Sequence, residues 1–317
     1  MALLETTTTQ VLESVQKRSC DDDVLGRLRT VIVLGGAVRR SGLGSAVKRS
    51  VTDLPLDPES GLTIKGHLYQ QLAELCVWLG RSTLGVRVIV NRNAPEPLAQ
   101  EPDEKLQVSI ESDPLEWRGT GGLLRDASEE YEDEDYILVL LGGQLLLNPL
   151  TELTERMAET SGEVSMVAHR DGSSVGLMLI RCGCLRDISG IGFVDLKEQA
   201  LPAIAKQHRV TVVQWPHASS MPIRTMTDYL AALRRFHQGA AVAEKKTLEG
   251  WQPRFSIVES TARVHPTARV YDSVVLGTAR VERGAVLVRS VVSPGAVVSG
   301  DEVVVDRLVK ASRWLRR

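Results

Sequence analysis

Residues 30–40 read Thr-Val-Ile-Val-Leu-Gly-Gly-Ala-Val-Arg-Arg, and this stretch decides how the first part of the chain folds. The apolar run predicts a short buried strand, which Gly35 and Gly36 end. Glycines at the carboxyl end of a strand let the backbone approach a ligand, and the basic residues Arg39 and Arg40 follow at once. The stretch therefore predicts a phosphate-binding turn at the edge of an open α/β sheet.

The spacing of the next glycines matches neither common nucleotide motif. Gly36 and Gly42 bracket five residues, but Leu43 stands where a P-loop has its lysine. Gly42 and Gly44 open a dinucleotide fingerprint, but Val47 stands where the third glycine is needed. The phosphate-binding interpretation therefore depends on further motifs along the chain.

Length, composition and charge exclude several classes of protein. With 317 residues, 43% of them apolar, the chain can hold two domains, one of them large. A net charge of −2 gives no general attraction to nucleic acid or to an anionic membrane, and no apolar run is long enough to span a membrane. Residues 1–29 lack the apolar segment of a secretory signal. We therefore expect a cytoplasmic protein that binds neither nucleic acid nor membrane.

No metal site can be predicted from the spacing of cysteines or acidic residues. The four cysteines are too few and too scattered for a disulfide framework. Cys182 and Cys184 are the closest pair, but they lack the two-residue gap of metal and redox motifs, so we expect buried free thiols. The acidic run over residues 129–135 precedes a strand and is expected to form a solvated loop.

Strand and helix patterns alternate from residue 31 onward, which predicts parallel βαβ units. The expected strands cover residues 31–34, 86–90, 106–110, 136–141, 164–169, 175–181 and 210–215. The expected helices cover residues 63–79, 119–131, 149–159, 196–207 and 227–237.

The sequence changes character after residue 253. Segments such as Val264-His-Pro-Thr-Ala-Arg and Val292-Ser-Pro-Gly-Ala-Val place an aliphatic residue every five or six positions, with a small residue three or four places on. This is the hexapeptide pattern of a β-helix, in which each aliphatic side chain fills a narrow core and each small residue turns a corner. At roughly three hexapeptides per coil, two to three coils are too few to stand alone, so we expect them to dock on the first domain or on a partner.

These patterns divide the chain into five parts. We predict an N-terminal tail over residues 1–28, an α/β domain over 29–238, a linker over 239–252, hexapeptide repeats over 253–310 and a basic tail over 311–317.

An α/β nucleotide-binding domain followed by hexapeptide repeats resembles the sugar-1-phosphate nucleotidyltransferases, also called NDP-sugar pyrophosphorylases. Gly35, Gly36 and Arg40 fit the first family motif, and Arg118-Gly-Thr-Gly-Gly-Leu-Leu is similar to the family segment that cradles the nucleobase and ribose. Thr225-Met-Thr-Asp-Tyr-Leu resembles the segment that closes the catalytic domain. The resemblance implies a Rossmann-like domain with a mixed, mostly parallel sheet, followed by a short left-handed β-helix.

The resemblance also implies which residues contact the ligand. The nucleotide-binding candidates are Gly35, Gly36, Arg40, Gly119, Thr120, Gly121 and Gly122. The phosphate candidates are Arg39, Lys48 and Arg49, and the sugar-side candidates are Asp195, Lys197 and Glu198.

This chain departs from the family where the chemistry takes place. Attack of a sugar phosphate on a nucleoside triphosphate needs Mg²⁺, which carboxylates hold. The family supplies one aspartate after the central strand, where this chain has Gly143, and a second where it has Pro222 or its neighbours Met221 and Ile223. Losing several kcal/mol of metal stabilisation would slow the reaction by about three to four orders of magnitude.

We therefore expect a nucleotide or nucleotide-sugar binding protein with weak or lost catalysis. It would take a sugar phosphate as a second ligand and form a homo-oligomer. One alternative is an active, divergent enzyme of the mannose- or glucose-1-phosphate type, with Mg²⁺ held by Asp53, Asp57 or Asp195. Another is a hexapeptide acyltransferase that uses His265. Mg²⁺ is expected as a cofactor only if the protein is active.

Overall fold

The computed structural model describes most of the chain: residues 24–35, 42–57, 59–91, 102–113, 118–160, 162–216, 219–238 and 254–311. Three of the candidate residues, Gly36, Arg39 and Arg40, lie outside these ranges, as does the predicted linker.

The α/β domain follows the expected alternation of strands and helices. In chain order its elements are β1 (Leu28–Leu34), α1 (Gly42–Val47), β2 (Pro55–Asp57), β3 (Leu62–Thr63), α2 (Ile64–Trp78), β4 (Leu84–Val90), β5 (Leu106–Ser112), α3 (Gly119–Ala127), β6 (Tyr136–Leu141), β7 (Gln144–Leu146), α4 (Leu150–Ala158), β8 (Val164–His169), β9 (Ser174–Arg181), α5 (Cys182–Leu185), α6 (Leu201–Ile204), β10 (Val210–Trp215), β11 (Ser220–Pro222) and α7 (Met226–Gln238). The expected helix over residues 196–207 is shorter and divided, because a π-helical turn over Leu196–Ala200 precedes α6.

Seven strands form one central sheet in the order β10-β8-β9-β6-β1-β4-β5. Strands β1, β4, β5 and β6 run parallel, and β8 runs parallel to β10. Strand β9 runs antiparallel to both of its neighbours, β6 and β8. The expected mixed, mostly parallel sheet is confirmed. Its parallel strands bring the ends of β1, β4, β5 and β6 to one carboxyl edge.

Apolar side chains cover both faces of this sheet. Helices α2 and α4 pack on one face through residues such as Leu72, Leu75 and Leu153. On the other face Leu123, Leu124 and residues of α5 and α6 form a second cluster. Burial on both faces explains why the strands read as continuous apolar runs rather than as alternating ones.

The C-terminal part is a parallel β-helix. Its strands are β12 (Ser256–Val258), β13 (Arg263–Val264), β14 (Arg269–Tyr271), β15 (Ser273–Val275), β16 (Arg280–Val281), β17 (Val286–Val288), β18 (Val291–Val292), β19 (Val297–Val298), β20 (Val303–Val305) and β21 (Leu308–Val309). They stack into three sheets, β12-β15-β18-β21, β13-β16-β19 and β14-β17-β20.

Each coil of the β-helix is one residue shorter than three hexapeptides. Ile257 pairs with Val274, Val275 pairs with Val292, and Val292 pairs with Val309, with the same separation along the chain at every step. The missing residue is lost at one tight corner of every coil. There Asp272, Arg289 and Asp306 all have positive φ, at 44°, 44° and 52°. A count of hexapeptides does not predict this corner. A residue with positive φ turns the chain over fewer residues than an ordinary corner does.

The β-helix and the α/β domain share an apolar core. Leu43 of α1 and Tyr229 of α7 are buried in the same cluster as Ile257, Val274 and Leu276 of the first two coils. The Tyr229 hydroxyl donates to the carbonyl oxygen of Pro55 over 2.5 Å, which satisfies the buried polar group. The expectation that the short β-helix docks on the first domain is confirmed.

Polar contacts surround this shared core. Arg49 pairs with Glu259 over 2.6 Å, and the second Glu259 oxygen accepts the backbone N–H of Gly277. Arg234 of α7 pairs with Asp272 at the tight corner. These contacts fix the orientation of the β-helix against α7 and the segment that follows α1. In the part of the chain that the structure describes, no helix is both long and apolar enough to cross a bilayer.

Candidate functional site

Two glycines meet at the carboxyl edge of the central sheet. The backbone N–H of Gly142, after β6, donates to the carbonyl oxygen of Leu34 over 3.0 Å. A Cβ atom at Gly142 would lie only 3.1 Å from the Cα atom of Gly35. The two strand ends therefore approach this closely because Gly142 carries no side chain, whereas a Cβ atom at Gly35 would meet Val90 of β4.

A buried ion pair lies beside these glycines. A 3₁₀ turn over Val51–Asp53 and the first turn of α2 bring the Lys65 Nζ atom within 2.7 Å of the Asp53 Oδ1 atom. The Asp53 and Lys65 side chains are only 1% and 6% exposed. Lys65 is one of the residues that line a small cleft at the ends of β1, β4 and β6, together with Gly35, Thr52, Tyr69, Val90 and Gly142. Burial, and then the Asp53 charge, raise the pKa of Tyr69 to about 12, so its hydroxyl stays neutral.

The second predicted motif lies at the start of α3, which enters from the same edge. Gly119 has φ +67°, and a Cβ atom there would lie 2.5 Å from the carbonyl oxygen of Val194. The N–H of Gly121 donates to this oxygen over 2.9 Å, and Thr120 Oγ1 accepts from the N–H of Leu196 over 3.2 Å. The glycines therefore allow the chain segment around Val194 to lie directly on the helix.

The structure brings the sugar-side candidates against this motif. Asp195 caps the π-helical turn, since its carboxylate accepts from the backbone N–H groups of Lys197 and Glu198 over 2.8 and 2.9 Å. The side chains of Lys197 and Glu198 are exposed to solvent. Gly119 to Gly122 and Asp195 to Glu198 thus form one continuous wall of the carboxyl edge.

The phosphate candidates are separated from each other. Lys48 is exposed and has φ +54° at the end of α1. Arg49, by contrast, faces the β-helix, where Glu259 holds its guanidinium. Arg49 is therefore occupied in joining the two domains.

The two positions at which the resemblance implies metal-binding aspartates are neighbours in space. The N–H of Ile223 donates to the carbonyl oxygen of Gly143 over 2.8 Å. Gly143 has no side chain, Ile223 is buried and apolar, and Pro222 offers no ligand. The residues present therefore do not fit the Mg²⁺ site that the resemblance implies.

The aspartates considered as replacements have other roles. Asp53 pairs with Lys65, and Asp195 caps a turn. Asp57 accepts hydrogen bonds from the Ser60 hydroxyl and from the N–H groups of Glu59 and Ser60, and the Ser60 hydroxyl is the main reason that its pKa is lowered. Elsewhere, the Nδ1 atom of His265 lies 2.9 Å from Thr267 Oγ1 within its own exposed turn.

Sequence reasoning missed Lys65, although a signal for it exists. Lys65, Tyr69, Leu72 and Cys76 follow one another at helical spacing, and all four are buried along α2. A lysine inside an apolar helical stripe needs a buried partner of opposite charge, and the sequence pattern of the helix does not predict which residue that partner is.

Residues 231–314 match the family model described as "GlmU-like, C-terminal hexapeptide". The C-terminal part of the chain is therefore similar to the hexapeptide region of GlmU-like proteins. This match confirms the hexapeptide interpretation of the sequence. No curated protein sequence matches the chain.

Solved structures are similar to part of the chain. HddC from Yersinia pseudotuberculosis, complexed with GMP-PN, is similar to this chain with a TM-score of 0.46 and 15% sequence identity. The match covers 65% of this chain and 98% of the HddC chain. A protein assigned as a glucose-1-phosphate thymidylyltransferase from Bacillus anthracis has a TM-score of 0.48 and 9% identity, covering 69% and 98%. The inositol-1-phosphate CTP transferase from T. maritima has a TM-score of 0.46 and 12% identity, covering 68% and 99%.

The chain thus combines an α/β domain with a C-terminal region that is similar to GlmU-like hexapeptide repeats. The hexapeptide part of the resemblance drawn from the sequence agrees with the family model.

Proposed function

We propose that this protein binds a nucleotide or nucleotide sugar at the carboxyl edge of its sheet without Mg²⁺-dependent nucleotidyl transfer. The observation that carries the proposal is the contact between Gly143 and Ile223, because the two expected carboxylate positions lie together and neither supplies a ligand. The glycine contact at Gly35 and Gly142 and the wall around Gly119 support the binding part of the proposal. Lys65, whose charge is paired with Asp53, lines the small cleft beside the two glycines.

Calorimetric titration of each nucleoside triphosphate and several NDP-sugars tests this proposal. We expect binding whose dissociation constant changes by less than about tenfold, or 1.4 kcal/mol, between Mg²⁺ and EDTA, because no carboxylate bridges a metal to the protein. We also expect no release of pyrophosphate when a triphosphate and a sugar 1-phosphate are supplied together.

Two variants serve as controls for this titration. Lys48→Ala removes the exposed charge of a phosphate candidate, and Lys206→Ala removes one after α6, away from the carboxyl edge. Weaker binding in the first variant alone supports the position of the phosphate. Binding that needs Mg²⁺, together with pyrophosphate release at ordinary enzyme rates, would show that catalysis persists.

Installing the two carboxylates is a second, independent prediction. A side chain at Gly143 meets no atom within 4 Å, and Pro222 is exposed, so both positions accept aspartate. In Gly143→Asp/Pro222→Asp we expect Mg²⁺ to strengthen nucleotide binding by about tenfold or more, since a bridging metal offsets the phosphate charge. Calorimetry with and without EDTA measures the change.

The control is Gly143→Asn/Pro222→Asn, which has the same shape without the charge. If the folded aspartate variant binds nucleotide and still shows no Mg²⁺ effect, the phosphates do not lie at this edge. That result would contradict the proposed position of the site.

A further inference from the structure

A second group of reactive side chains lies at the amino edge of the sheet, at the opposite end of β6 from Gly142. Glu163 precedes β8, Cys184 lies in α5 after β9, and His208 precedes β10. One ligand atom from each lies within 4.8 Å of the other two, and no other such trio of His, Cys, Asp or Glu occurs in the described residues.

We propose that Glu163, Cys184 and His208 bind a divalent cation of the zinc type. Carboxylate oxygen, thiolate sulfur and imidazole nitrogen are the three kinds of ligand that Zn²⁺ takes in proteins, and three protein ligands leave its fourth position for water. This site is independent of the proposed nucleotide site, because it lies at the other edge of the sheet.

The histidine is already oriented for this role. Its Nδ1 atom lies 3.1 Å from Glu163 Oε1. Its Nε2 atom lies 2.7 Å from the Asp187 carboxylate, which can accept the N–H of that nitrogen. A metal-binding histidine usually donates its second N–H to a carboxylate, which fixes both the ring and its tautomer.

Binding of the cation displaces protons from its ligands. Burial raises the pKa of Cys184 to about 11, so the metal-free residue is a thiol. When the cation binds, the S–H bond breaks and its proton leaves to water, as does a proton held on His208 Nδ1, and two metal bonds form.

The Arg181 guanidinium competes with a metal ion for Glu163 and Cys184, and the structure gives this guanidinium an alternative partner. Its guanidinium contacts Glu163 and Cys184, and its Nη1 atom also lies 3.1 Å from Glu134 Oε2. Among the described residues, the buried Nε atom of Arg181 has no hydrogen-bond partner, so this arrangement leaves one polar atom unsatisfied. Metal binding requires Arg181 to release Cys184 and one Glu163 oxygen while it keeps Glu134.

Such a site would join three segments that are distant in sequence. The cation would connect the start of β8, the end of β9 and the start of β10, where β10 is an edge strand of the sheet. Because a preformed site is absent from the unfolded chain, bound metal would stabilise the folded state.

Titration of the full chain, first treated with EDTA, tests the proposal with Co²⁺ as a spectroscopic probe and Zn²⁺ as its competitor. We expect one Co²⁺ per chain, a thiolate-to-cobalt charge-transfer absorption, and its loss when Zn²⁺ is added. Cys184→Ser should abolish the absorption. Cys182→Ser should retain it, since Cys182 is equally buried but lies outside the trio.

Two further variants keep the test decisive if Cys184→Ser folds poorly, as judged by circular dichroism. Asp187→Asn should weaken Zn²⁺ binding by about 10- to 100-fold and keep the thiolate absorption, as expected of a residue that orients a ligand. His208→Gln should weaken binding further. Absence of the absorption in the parent protein, or its persistence in Cys184→Ser, would overturn the proposal.

Discussion

Replacing either partner of the Asp53–Lys65 pair should lower the free energy of unfolding by about 3–5 kcal/mol, because the remaining buried charge would lose the opposite charge with which it pairs. Lys65 Nζ and Asp53 Oδ1 lie 2.7 Å apart, and both side chains are almost fully buried. The variants Asp53→Asn and Lys65→Met test each side of the pair. Urea denaturation monitored by circular dichroism measures the loss.

The double variant Asp53→Asn/Lys65→Met distinguishes the interaction between the two charges from the contribution of each side chain alone. We expect it to recover much of the stability lost in the single variants, since no uncompensated charge remains. Arg156→Ala is the matched control, because its pair with Glu159 is 63% and 57% exposed and should contribute at most about 1 kcal/mol. Losses that simply add in the double variant would mean that the two charges do not stabilise each other.

Gly119→Ala should lower the free energy of unfolding by about 2–4 kcal/mol and weaken nucleotide binding, since a left-handed backbone costs an alanine about 1–2 kcal/mol and overpacking costs about 1–3 kcal/mol more. The added Cβ atom would lie 2.5 Å from the Val194 carbonyl oxygen and would push the Asp195 turn away from α3. Urea denaturation and calorimetry measure the two effects.

Gly80→Ala is the control that isolates the backbone contribution. Gly80 also has φ +67°, but a Cβ atom there meets nothing within 4 Å. The difference between the two variants therefore measures the contact with Val194. Equal losses would show that this contact is unimportant and that only the backbone angle requires glycine at residue 119.

Periodicity predicted most of the fold because each central strand is buried on both faces. The apolar runs of β1 and β6, and the helical stripe of α2, are direct consequences of that burial. The division of the helix after Asp195 was not predicted, because the carboxylate of that residue caps a π-helical turn rather than a regular helix.

The candidate site was predicted less completely. The glycines at residues 35 and 119 could be identified because close backbone contact excludes other residues. The partner of Lys65 could not, since side-chain pairing depends on how the 3₁₀ turn meets α2. The role of Arg49 could not be predicted from the sequence either, because its partner Glu259 lies far along the chain in the other domain. The proposed cation site brings together three segments for the same reason, and no local spacing reveals it.

The shortened coil limits how the hexapeptide domain can change in length. Duplicating one observed coil, such as the segment from Val275 to Val291, would add a complete turn, and every downstream aliphatic side chain would keep its inward orientation. Duplicating three full hexapeptides would preserve the apparent six-residue repeat of the sequence. That insertion would nevertheless shift each later strand by one position and turn its inward side chains outward. Viable growth or shrinkage of this domain should therefore occur in whole coils, with an aspartate or arginine such as Asp272 or Arg289 repeated at each tight corner.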